Sequence, residues 1–543
     1  PGENSAIIGF TDVGDRTTGT WRESSSEWRN LTIMGRAVIA AEEFNFQGGL
    51  TARGPAADGD ANNPTVVDGT AQADMEGLVA RDDNGTPGIQ ADEANEIRYG
   101  GANDQDDSGS IRYLSTRYTG TVLGEGNELN GLSLGGVGEA TDIAYVDIMN
   151  NVDDGIEIWG GKVDIKYANI WHIGDDSFDI DQGWRGTAQF GLIVQGYSLA
   201  SPPKQGSGFG DNVFETDGAE QSDVQPRTTA VVYNFTAIGN PLAGDGMTTW
   251  RDNARVQYRK CVFVDSPDAL VRLDNVDGDG GNGYGFNGTH TWQDVWQSTY
   301  ADAIPNNVNN GAAGTAVDNS FAGGNVGTFD FSEAALYDAQ WSGNLVEITD
   351  SIYHNVGGTM TVFKDESGSS AFDPTSIIEG AAANNVAATT LPVASLTRQA
   401  AAAPGGLAVQ LVDQLDPRAA NDALTSEGDA IPKDIPGLIN VPFRGGFSAD
   451  TNWALGWTAA DAMGFFTDNG NPNPADPAET VSITTKVTFP TVDGVLYVVQ
   501  VSDDNINWTS LPNAVIEGTG DNCSVADVVS DFDSTKFYRA IPL

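Results

Sequence analysis

Basic residues, histidines and long apolar runs are scarce in this sequence of 543 residues, and each shortage excludes a class of function. Lysine and arginine total 27 against 76 acidic residues, so the formal net charge is −49. Such a surface repels nucleic acid and anionic lipid headgroups. Three histidines argue against a zinc centre or a Ser-His-Asp triad. No apolar run reaches the roughly 20 residues that a membrane-spanning helix needs.

Cysteine is almost absent, which excludes a disulfide-rich scaffold. The two cysteines, Cys261 and Cys523, leave one bridge between them open. The sequence begins at Pro1 without a signal-peptide pattern, and we expect that its start has been processed or trimmed.

Glycine and acidic residues are abundant instead. The 66 glycines, together with many Asn and Asp residues, predict a chain rich in tight turns, which favours an all-β protein. The acidic excess attracts cations and keeps a protein soluble where salt screens its self-repulsion. We therefore expect a secreted, extracellular protein from a saline habitat.

An internal repeat is visible in the middle of the chain. "YVDIMNNVDDGIEIWGG" (145–161) matches "YANIWHIGDDSFDIDQG" (167–183) at an offset of 22 residues. "GDNVFETDG" (210–218) resembles "GDDSFDIDQG", and "VYNFTAIGN" (232–240) resembles residues 167–175 at an offset of 65. Repeats of this length indicate a solenoid, in which each coil buries its apolar face against its neighbours.

Each repeat alternates in the manner of a β-strand. Ile156 and Ile158 are predicted to face inward, while Glu157 faces outward, and "SFDID" repeats the pattern with Asp179 outward. Short strands and polar turns at a fixed period predict a right-handed parallel β-helix.

The domain organisation follows from where the repeat stops. We predict a β-helix over residues 1–467, with loop insertions at about 286–344 and 379–428. The aromatic segment 443–466 is predicted to pack on the coils. Residues 481–543 show short alternating strands and turn signals, which predict a small Ig-like β-sandwich.

A resemblance to a known group supports this organisation. "NVDDGIEIWGGKVDIKYANI" and "GDDSFDIDQGWRGTAQF" resemble large secreted bacterial parallel β-helix proteins of the Bacteroidota and Verrucomicrobiota, most of them uncharacterised. The C-terminal "YVVQVSDDNINWTSLP" resembles a β-sandwich module often appended to them. The resemblance implies the fold and secretion, and it carries no established chemistry.

The paired aspartates permit an enzymatic interpretation. "VDDGIEI" and "GDDSFDI" also resemble two signature coils of polygalacturonase-type glycosidases, which implies an acid/base set of Asp154, Asp175 and Asp176. Inverting hydrolysis needs carboxyls about 6.5–9.5 Å apart. That family carries Gly-His-Gly and Arg-x-Lys on later coils, whereas the next coil here reads "GDNVFETDG", without histidine.

A cation site is the second interpretation. Coils stack about 4.7–4.9 Å apart, so Asp153 is expected to lie over Asp175 and Glu157 over Asp179. Carboxylates this close, Asp154 and Asp176 included, repel each other and need solvent, a lateral splay or a divalent cation between them. Calcium takes 6–8 oxygen ligands from such carboxylates. A second calcium hypothesis concerns the loop 274–285.

Three further features have a functional and a structural interpretation. Asp277 and Asp279 in loop 274–285 alternate as in an EF-hand, but no Glu occupies the twelfth position, so the loop is a generic cation loop or a flexible turn. His172 is a base beside Asp175 or, more commonly, a packed residue. Arg185 is expected near the acids, where it balances their charge.

The third interpretation of the aspartate pairs is structural. Asp and Asn side chains at turns accept backbone hydrogen bonds and stack from coil to coil. Glu157, Asp179 and Glu215 then form a solvated acidic stripe.

Taken together, these features favour a non-catalytic structural or adhesive protein of the cell surface. It is expected to be cation-stabilised and to self-associate, as a filament or surface-layer subunit, or to bind extracellular polysaccharide. The alternatives are a polysaccharide-active enzyme, glycosidase or lyase, using Asp154, Asp175 and Asp176, and a carbohydrate-binding protein.

Overall fold

The structure is a computed structural model, and it describes most of residues 24–40, 72–78, 96–274, 340–467 and 483–542, together with 6–8, 292–299 and 471–472. Gaps inside these ranges fall at 28, 102, 125–126, 199–207, 219–227, 253, 341, 359, 367, 369, 371, 405, 421–424, 426–434, 436, 493, 503–507, 518, 521 and 530–536. The chain divides into two compact units, Pro1–Pro472 and Asn473–Leu543.

The regular secondary structure of the first unit consists almost entirely of β-strands. Its strands are β1 (Ala6–Ile8), β2 (Leu31–Met34), β3 (Ala73–Asp74), β4 (Arg98–Tyr99), β5 (Ser110–Thr119), β6 (Thr121–Gly124), β7 (Asn127–Leu129), β8 (Leu132–Val137), β9 (Asp142–Asn151), β10 (Ile156–Gly161), β11 (Asp164–Trp171), β12 (Phe178–Asp181), β13 (Thr187–Val194), β14 (Phe214–Thr216), β15 (Val231–Ile238), β16 (Thr248–Trp250), β17 (Gln257–Arg259), β18 (Val262–Ser266), β19 (Val271–Leu273), β20 (Glu347–Thr349), β21 (Ile352–Val356), β22 (Phe363–Asp365), β23 (Val386–Ala387), β24 (Val393–Arg398), β25 (Val412–Ala419), β26 (Thr451–Asn452) and β27 (Asn471–Pro472). Its short helices are α1 (Trp292–Gln297), α2 (Thr375–Ile378) and α3 (Ala459–Ala462).

Two long parallel sheets run the length of this unit. The first sheet has the order β1-β5-β9-β11-β13-β15-β18-β21-β23, with β17 and β20 continuing from β15. The second sheet has the order β2-β8-β10-β12-β14-β16-β19-β22. From β8 to β16 successive strands alternate between the two sheets, and in the later coils the contribution to the first sheet is divided into two strands, β17 with β18 and β20 with β21. The chain is therefore a parallel β-helix, as the sequence predicted.

Long strands of the first sheet bend at one residue in each coil. Tyr145 and Tyr167 have φ angles of 59° and 60°, in the left-handed region. The ladder between β9 and β11 pairs Lys166 with Ala144 and Ala168 with Val146, and thus resumes on either side of the bend. The bend turns one long strand into two faces of the coil.

The interior is apolar and continuous from coil to coil. Ile156 pairs with Phe178 and Ile158 with Ile180, and all four side chains are fully buried in the main core. The offset of 22 residues is therefore confirmed. The offset of 65 is wrong by two, because Ala168 pairs through β13 with Phe235, 67 residues later.

The segment 443–466, called here the C-terminal segment because it lies near the end of the first unit, covers the outside of the first sheet. The stacked rings of Tyr113, Tyr145 and Tyr167 have centroids 4.4 Å apart. Trp457 meets Tyr145 edge-on at 5.9 Å, and Trp453 meets Tyr167 at 5.3 Å. The aromatic segment 443–466 thus packs on the coils, as predicted, and the antiparallel hairpin of β24 and β25 joins the same apolar cluster.

The second unit is a small antiparallel arrangement, with strands β28 (Ile483–Pro490), β29 (Leu496–Ser502), β30 (Thr509–Glu517), β31 (Asn522–Val529) and β32 (Phe537–Pro542). β28 pairs with β31, and β29 lies between β30 and β32. The Ig-like sandwich remains a prediction for this unit.

Few helices occur in the described residues, and none of them combines the length and apolar character needed to cross a membrane. Most of the predicted insertion 286–344 lies outside the described residues, apart from the buried helix α1 and the stretch that leads into β20. Cys261 is a free, buried thiol.

Candidate functional site

The acidic pairs lie at the turn that leads from the first sheet into the second. Glycines let this turn stack closely on its neighbours. A Cβ on Gly174 would lie 2.2 Å from the carbonyl oxygen of Val152, and one on Gly155 would lie 2.4 Å from that of Ser177. Since real Cβ atoms do not approach this closely, the repeat needs glycine there, and Asp175 is held one coil above Asp153.

An outer row of four aspartates runs along this turn, one in each coil. The amide of Asp175 donates to the carbonyl of Asp153 at 3.3 Å, and the amide of Asp211 donates to that of Asp175 at 2.9 Å. The amide of Asp245 continues the row by donating to Asp211. The row therefore places carboxyl groups one strand spacing apart.

An inner row consists of two aspartates with an asparagine at either end. The amide of Asp154 donates to Asn130 Oδ1 at 3.2 Å, and the amide of Asp176 donates to Asp154 Oδ1 at 2.8 Å. Asp176 Oδ1 accepts the amide of Asn212 in the same way. This is a coil-to-coil ladder of the predicted kind, except that each side chain bonds the backbone of the next coil rather than its own.

A third row lies on the outer face of the second sheet. Glu157 pairs in register with Asp179, and Asp179 pairs with Glu215. The predicted solvated stripe is wrong for these residues, because Asp179 is only 6% exposed and the two glutamates are partly buried. Asn130 Nδ2 donates to Glu157 Oε2.

The three rows bring carboxylate oxygens together in two groups. Oxygens of Asp153, Asp154 and Asp175 lie within 4.8 Å of one another, and so do oxygens of Asp154, Glu157 and Asp179. Asp154 belongs to both groups. Six metal residues were predicted, and four of them lie at this turn. Asp153, Asp154 and Asp175 meet in one group, and Asp176 lies beside it in the inner row.

Asp153 is distinct within the first group. Its side chain is 6% exposed, yet its carboxylate has no hydrogen-bond donor and no ion-pair partner in the part of the chain that the structure describes. Carboxyls one coil further on pair with one another, Asp175 with Asp211 and Asp176 with Glu215. Two carboxyls share a hydrogen bond only when one of them is protonated, and two ionised carboxylates at this distance need a cation between them.

Burial and mutual repulsion both perturb these acids. Burial raises the pKa of Asp153 well above 3.8, and the Asp175 carboxylate raises it further. The pKa of Asp154 is raised in the same way by burial and by Asp153, and that of Asp175 by burial and by Asp211. Burial, then Asp179, raises the pKa of Glu157. The geometry therefore disfavours the bare, fully ionised state.

Arginine side chains pair with the far end of the acidic rows. The guanidinium of Arg251 pairs with Glu215 and lies 3.2 Å from Asp217, while Arg272 pairs with Asp245. No Lys or Arg among the described residues forms an ion pair with the carboxylates of the first group.

His172 is packed among aromatic rings. Its ring is fully buried, and it meets Trp171 and Phe465 edge-on at 5.8 and 5.4 Å. Burial lowers the pKa of His172 to about 3, so the imidazole is neutral. His172 packs beneath the segment 443–466, which supports its interpretation as a packed residue.

Arg185 also has a different partner from the one the sequence indicated. Its Nη1 and Nη2 donate to Asp104 at 2.7 and 2.8 Å, and its Nη2 donates to the carbonyl of Val38 at 2.9 Å. Arg185 therefore anchors residues from an earlier segment of the chain.

Some site residues were missed from the sequence, and some lie outside the described residues. Asp277 and Asp279 belong to the latter. Asp211 was missed, although "GDN" aligned with "GDD" marks it. Glu76 and Glu128, whose charges also raise the pKa of Asp153, carry no sequence signal.

Comparison with known proteins supports the fold. Residues 56–326 match the family model of a pectate-lyase-like β-helix domain, a stretch of just under half of the chain. No curated protein and no solved structure matches the chain.

Proposed function

We propose that this protein binds a divalent cation, calcium, among Asp153, Asp154 and Asp175, and that it serves as a non-catalytic structural or adhesive protein of the cell exterior. The cation ties two consecutive coils together at their acidic turn. The carrying observation is Asp153, a residue that is 6% exposed and whose carboxylate has no donor among the described residues; one of its oxygens lies within 4.8 Å of an oxygen of each of two other carboxylates.

The three carboxylates of this group repel one another strongly when all are ionised. Two unit charges 4.8 Å apart repel by roughly 3.5 kcal/mol at an effective dielectric of 20, so three ionised carboxylates carry about 10 kcal/mol. That is comparable to the whole stability of a typical domain, about 5–15 kcal/mol. A bound divalent cation removes this repulsion, whereas protonation alone becomes costly near neutral pH.

The donor set fits calcium better than a softer metal. The group offers oxygen only, and hard cations such as calcium prefer carboxylates, carbonyls and water. Zinc sites in proteins draw on cysteine and histidine, and neither the buried His172 nor Cys261 is part of this group. Asp176 supports the group indirectly, because its amide holds Asp154 Oδ1.

A role in assembly rests on the ends of the sheets. β2 and β22 each have a strand partner on one side only within the described residues. An unpaired strand edge can pair with another chain, which supports self-association into a filament or surface layer. Secretion to the cell exterior remains part of the proposal, supported by the acidic composition and by a calcium site suited to calcium-rich media.

The test is calcium titration of the full chain, followed by calorimetry, with Asp153→Asn beside the unaltered protein. We expect the substitution to remove one bound calcium. Light scattering in calcium and in chelator then tests assembly. A chain that binds equal calcium with and without the substitution would overturn the cation site, and a monomer in both media would overturn the assembly.

A polysaccharide-active enzyme is the second candidate. The match to a pectate-lyase-like β-helix domain favours it, as does the meeting of Asp154, Asp175 and Asp176 in adjoining rows. However, Asp154 and Asp176 each use one oxygen to accept an amide, and Asp154 and Asp175 lie closer than the roughly 6.5–9.5 Å of inverting hydrolases. Assays on acidic polysaccharides with Asp176→Asn test this candidate; it requires activity that the substitution abolishes.

A further inference from the structure

The hairpin of β24 and β25 has one covered edge and one open edge. At the covered edge of β25, the amide of Leu415 donates to the carbonyl of Phe465 at 2.8 Å, and the amide of Thr467 donates to the carbonyl of Leu415 at 3.0 Å. In the part of the chain that the structure describes, β24 pairs with β25 and with no other strand. The far side of β24 is therefore an edge to which a further strand can add.

The hairpin is held firmly on the coils. The guanidinium of Arg398 donates to Asp265 at 2.6 and 3.0 Å, and the amide of Gln410 donates to Asn240 Oδ1 at 3.2 Å. The side chain of Val409 is buried between the hairpin and the coils. A strand held in place in this way loses little conformational freedom when another chain binds to it.

The open edge lies in the one long stretch of the chain that is nearly free of charge. Residues 380–412 contain a single charged residue, Arg398, which Asp265 neutralises, although 19% of the whole chain is charged. The hairpin tip, residues 399–408, is exposed throughout its described positions, and Leu407 is 52% exposed. Proteins ordinarily protect open strand edges with charged side chains, so an uncharged edge beside an exposed apolar tip indicates an interaction surface.

Charge indicates what binds to this surface. The chain carries a formal net charge of −49, so a basic partner is attracted to its acidic faces and not to this uncharged one. A second copy of the chain is repelled by the acidic faces, and it can approach closely where neither copy carries charge. Antiparallel pairing of β24 with itself about a two-fold axis also makes the edge its own complement.

We propose that a second copy of this chain binds along the open edge of β24, antiparallel to it. Each hairpin tip then lies beside residues 380–392 of the other copy, which are also uncharged. This inference rests on the proposed function, because it names a surface for the proposed self-association, in addition to the sheet ends. The dimer should become tighter as salt is added, because screening weakens the repulsion between two acidic chains.

The experiment is sedimentation velocity on the full chain in chelator, at about 0.1 M and about 1 M sodium chloride. The unaltered protein should form a dimer with a lower dissociation constant at the higher salt concentration. Gln399→Glu and Ala394→Glu each place a charge at an exposed hairpin position, and each should raise the dissociation constant about tenfold or more. Gln293→Glu adds the same charge at an exposed position of α1, and as the matched control it should change that constant by less than about twofold.

The outcomes separate this interface from the proposed function. If the chain is a monomer at both salt concentrations, or if both hairpin variants dimerise as tightly as the control, the β24 interface is refuted. Assembly in calcium would still support pairing through the sheet ends, and calcium binding by Asp153→Asn tests the cation site separately. A monomer that binds neutral phosphatidylcholine vesicles, and loses this binding in the hairpin variants, would assign the surface to lipid and overturn the proposal. Circular dichroism identifies a misfolded variant, and the other hairpin variant then carries the test.

Discussion

Replacing Asp153 with asparagine should have opposite effects in chelator and in calcium. The side chain keeps its size, and its carboxylate accepts no hydrogen bond from the described residues, so no bond is broken. In chelator the variant should be more stable than the unaltered protein, because one repelling charge is gone. Added calcium should stabilise the variant less than it stabilises the unaltered protein, because one ligand is gone.

The size of the effect in chelator has two limits. Removing one of three charges removes two repulsive pairs, worth roughly 7 kcal/mol at a dielectric of 20 and about 2 kcal/mol in water. The unaltered protein can instead protonate one carboxyl, which at pH 8 costs about 5.7 kcal/mol for an unfolded pKa of 3.8. The free energy of unfolding should therefore rise by about 2–6 kcal/mol.

The effect must also depend on pH with a defined sign. Burial and then the charge of Asp175 raise the folded pKa of Asp153 above its unfolded value of 3.8, so the folded state holds this proton more tightly. The contribution of Asp153 to the free energy of unfolding in chelator is therefore most favourable at low pH, and it falls as the pH rises from about 4 through the raised pKa. The advantage of Asp153→Asn should be small at pH 4.5 and largest at pH 8.

The assay is urea unfolding followed by tryptophan fluorescence. All of the 12 tryptophans except Trp508 precede residue 473, so the signal reports on the first unit. Asp142→Asn serves as the control. It removes the solvent-exposed ion pair between Asp142 and Arg112, and this loss should change the free energy of unfolding by less than about 1 kcal/mol. If Asp153→Asn is no more stable than the unaltered protein in chelator at pH 8, the repulsion argument is wrong.

Three other predictions follow from contacts outside the acidic rows. Arg185→Met should lower the free energy of unfolding by about 3–5 kcal/mol in urea, because it strands the Asp104 carboxylate; no loss would show that this ion pair is dispensable. Trp453→Ala should cost about 3–5 kcal/mol and increase proteolysis of the C-terminal segment, because the ring packs on Tyr167; an unchanged digestion pattern would argue against that role. Cys261 should resist thiol reagents in the folded state and react in urea, because burial raises its pKa to about 12; rapid native labelling would contradict its burial.

The fold was predictable because apolar and polar side chains alternate in the same way in each repeat. The pairs of Ile156 with Phe178 and of Glu157 with Asp179 follow directly from the 22-residue offset. The later offset of 65 slipped by two residues. A shift of two preserves which side chains face inward, so alternation cannot detect it, and only the hydrogen-bonded register does.

The acidic site was only partly predictable. The pairing of Asp153 and Asp154 with Asp175 and Asp176 is visible in the repeat. The added repulsion from Glu76 and Glu128 is not visible in the repeat. These two residues belong to segments that precede the turn in sequence and share no pattern with it.

The same limit applies to Arg185. The sequence placed it near acidic residues of its own coil, whereas the structure pairs it with Asp104, 81 positions earlier. A contact between a repeat and a non-repeating segment leaves no periodic signal, so tertiary structure alone reveals it.

The outer row of Asp153, Asp175, Asp211 and Asp245 has a consequence for behaviour in salt. Arg272 neutralises Asp245, but Asp153, Asp175 and Asp211, when ionised, place one charge per strand spacing of about 4.8 Å, which approaches the linear charge density of a single nucleic acid strand. Such a line of charge acts as a short polyelectrolyte and gathers a condensed layer of counterions. Sodium in that layer must be released when calcium binds, so calcium affinity should fall on a log–log scale as the salt concentration rises.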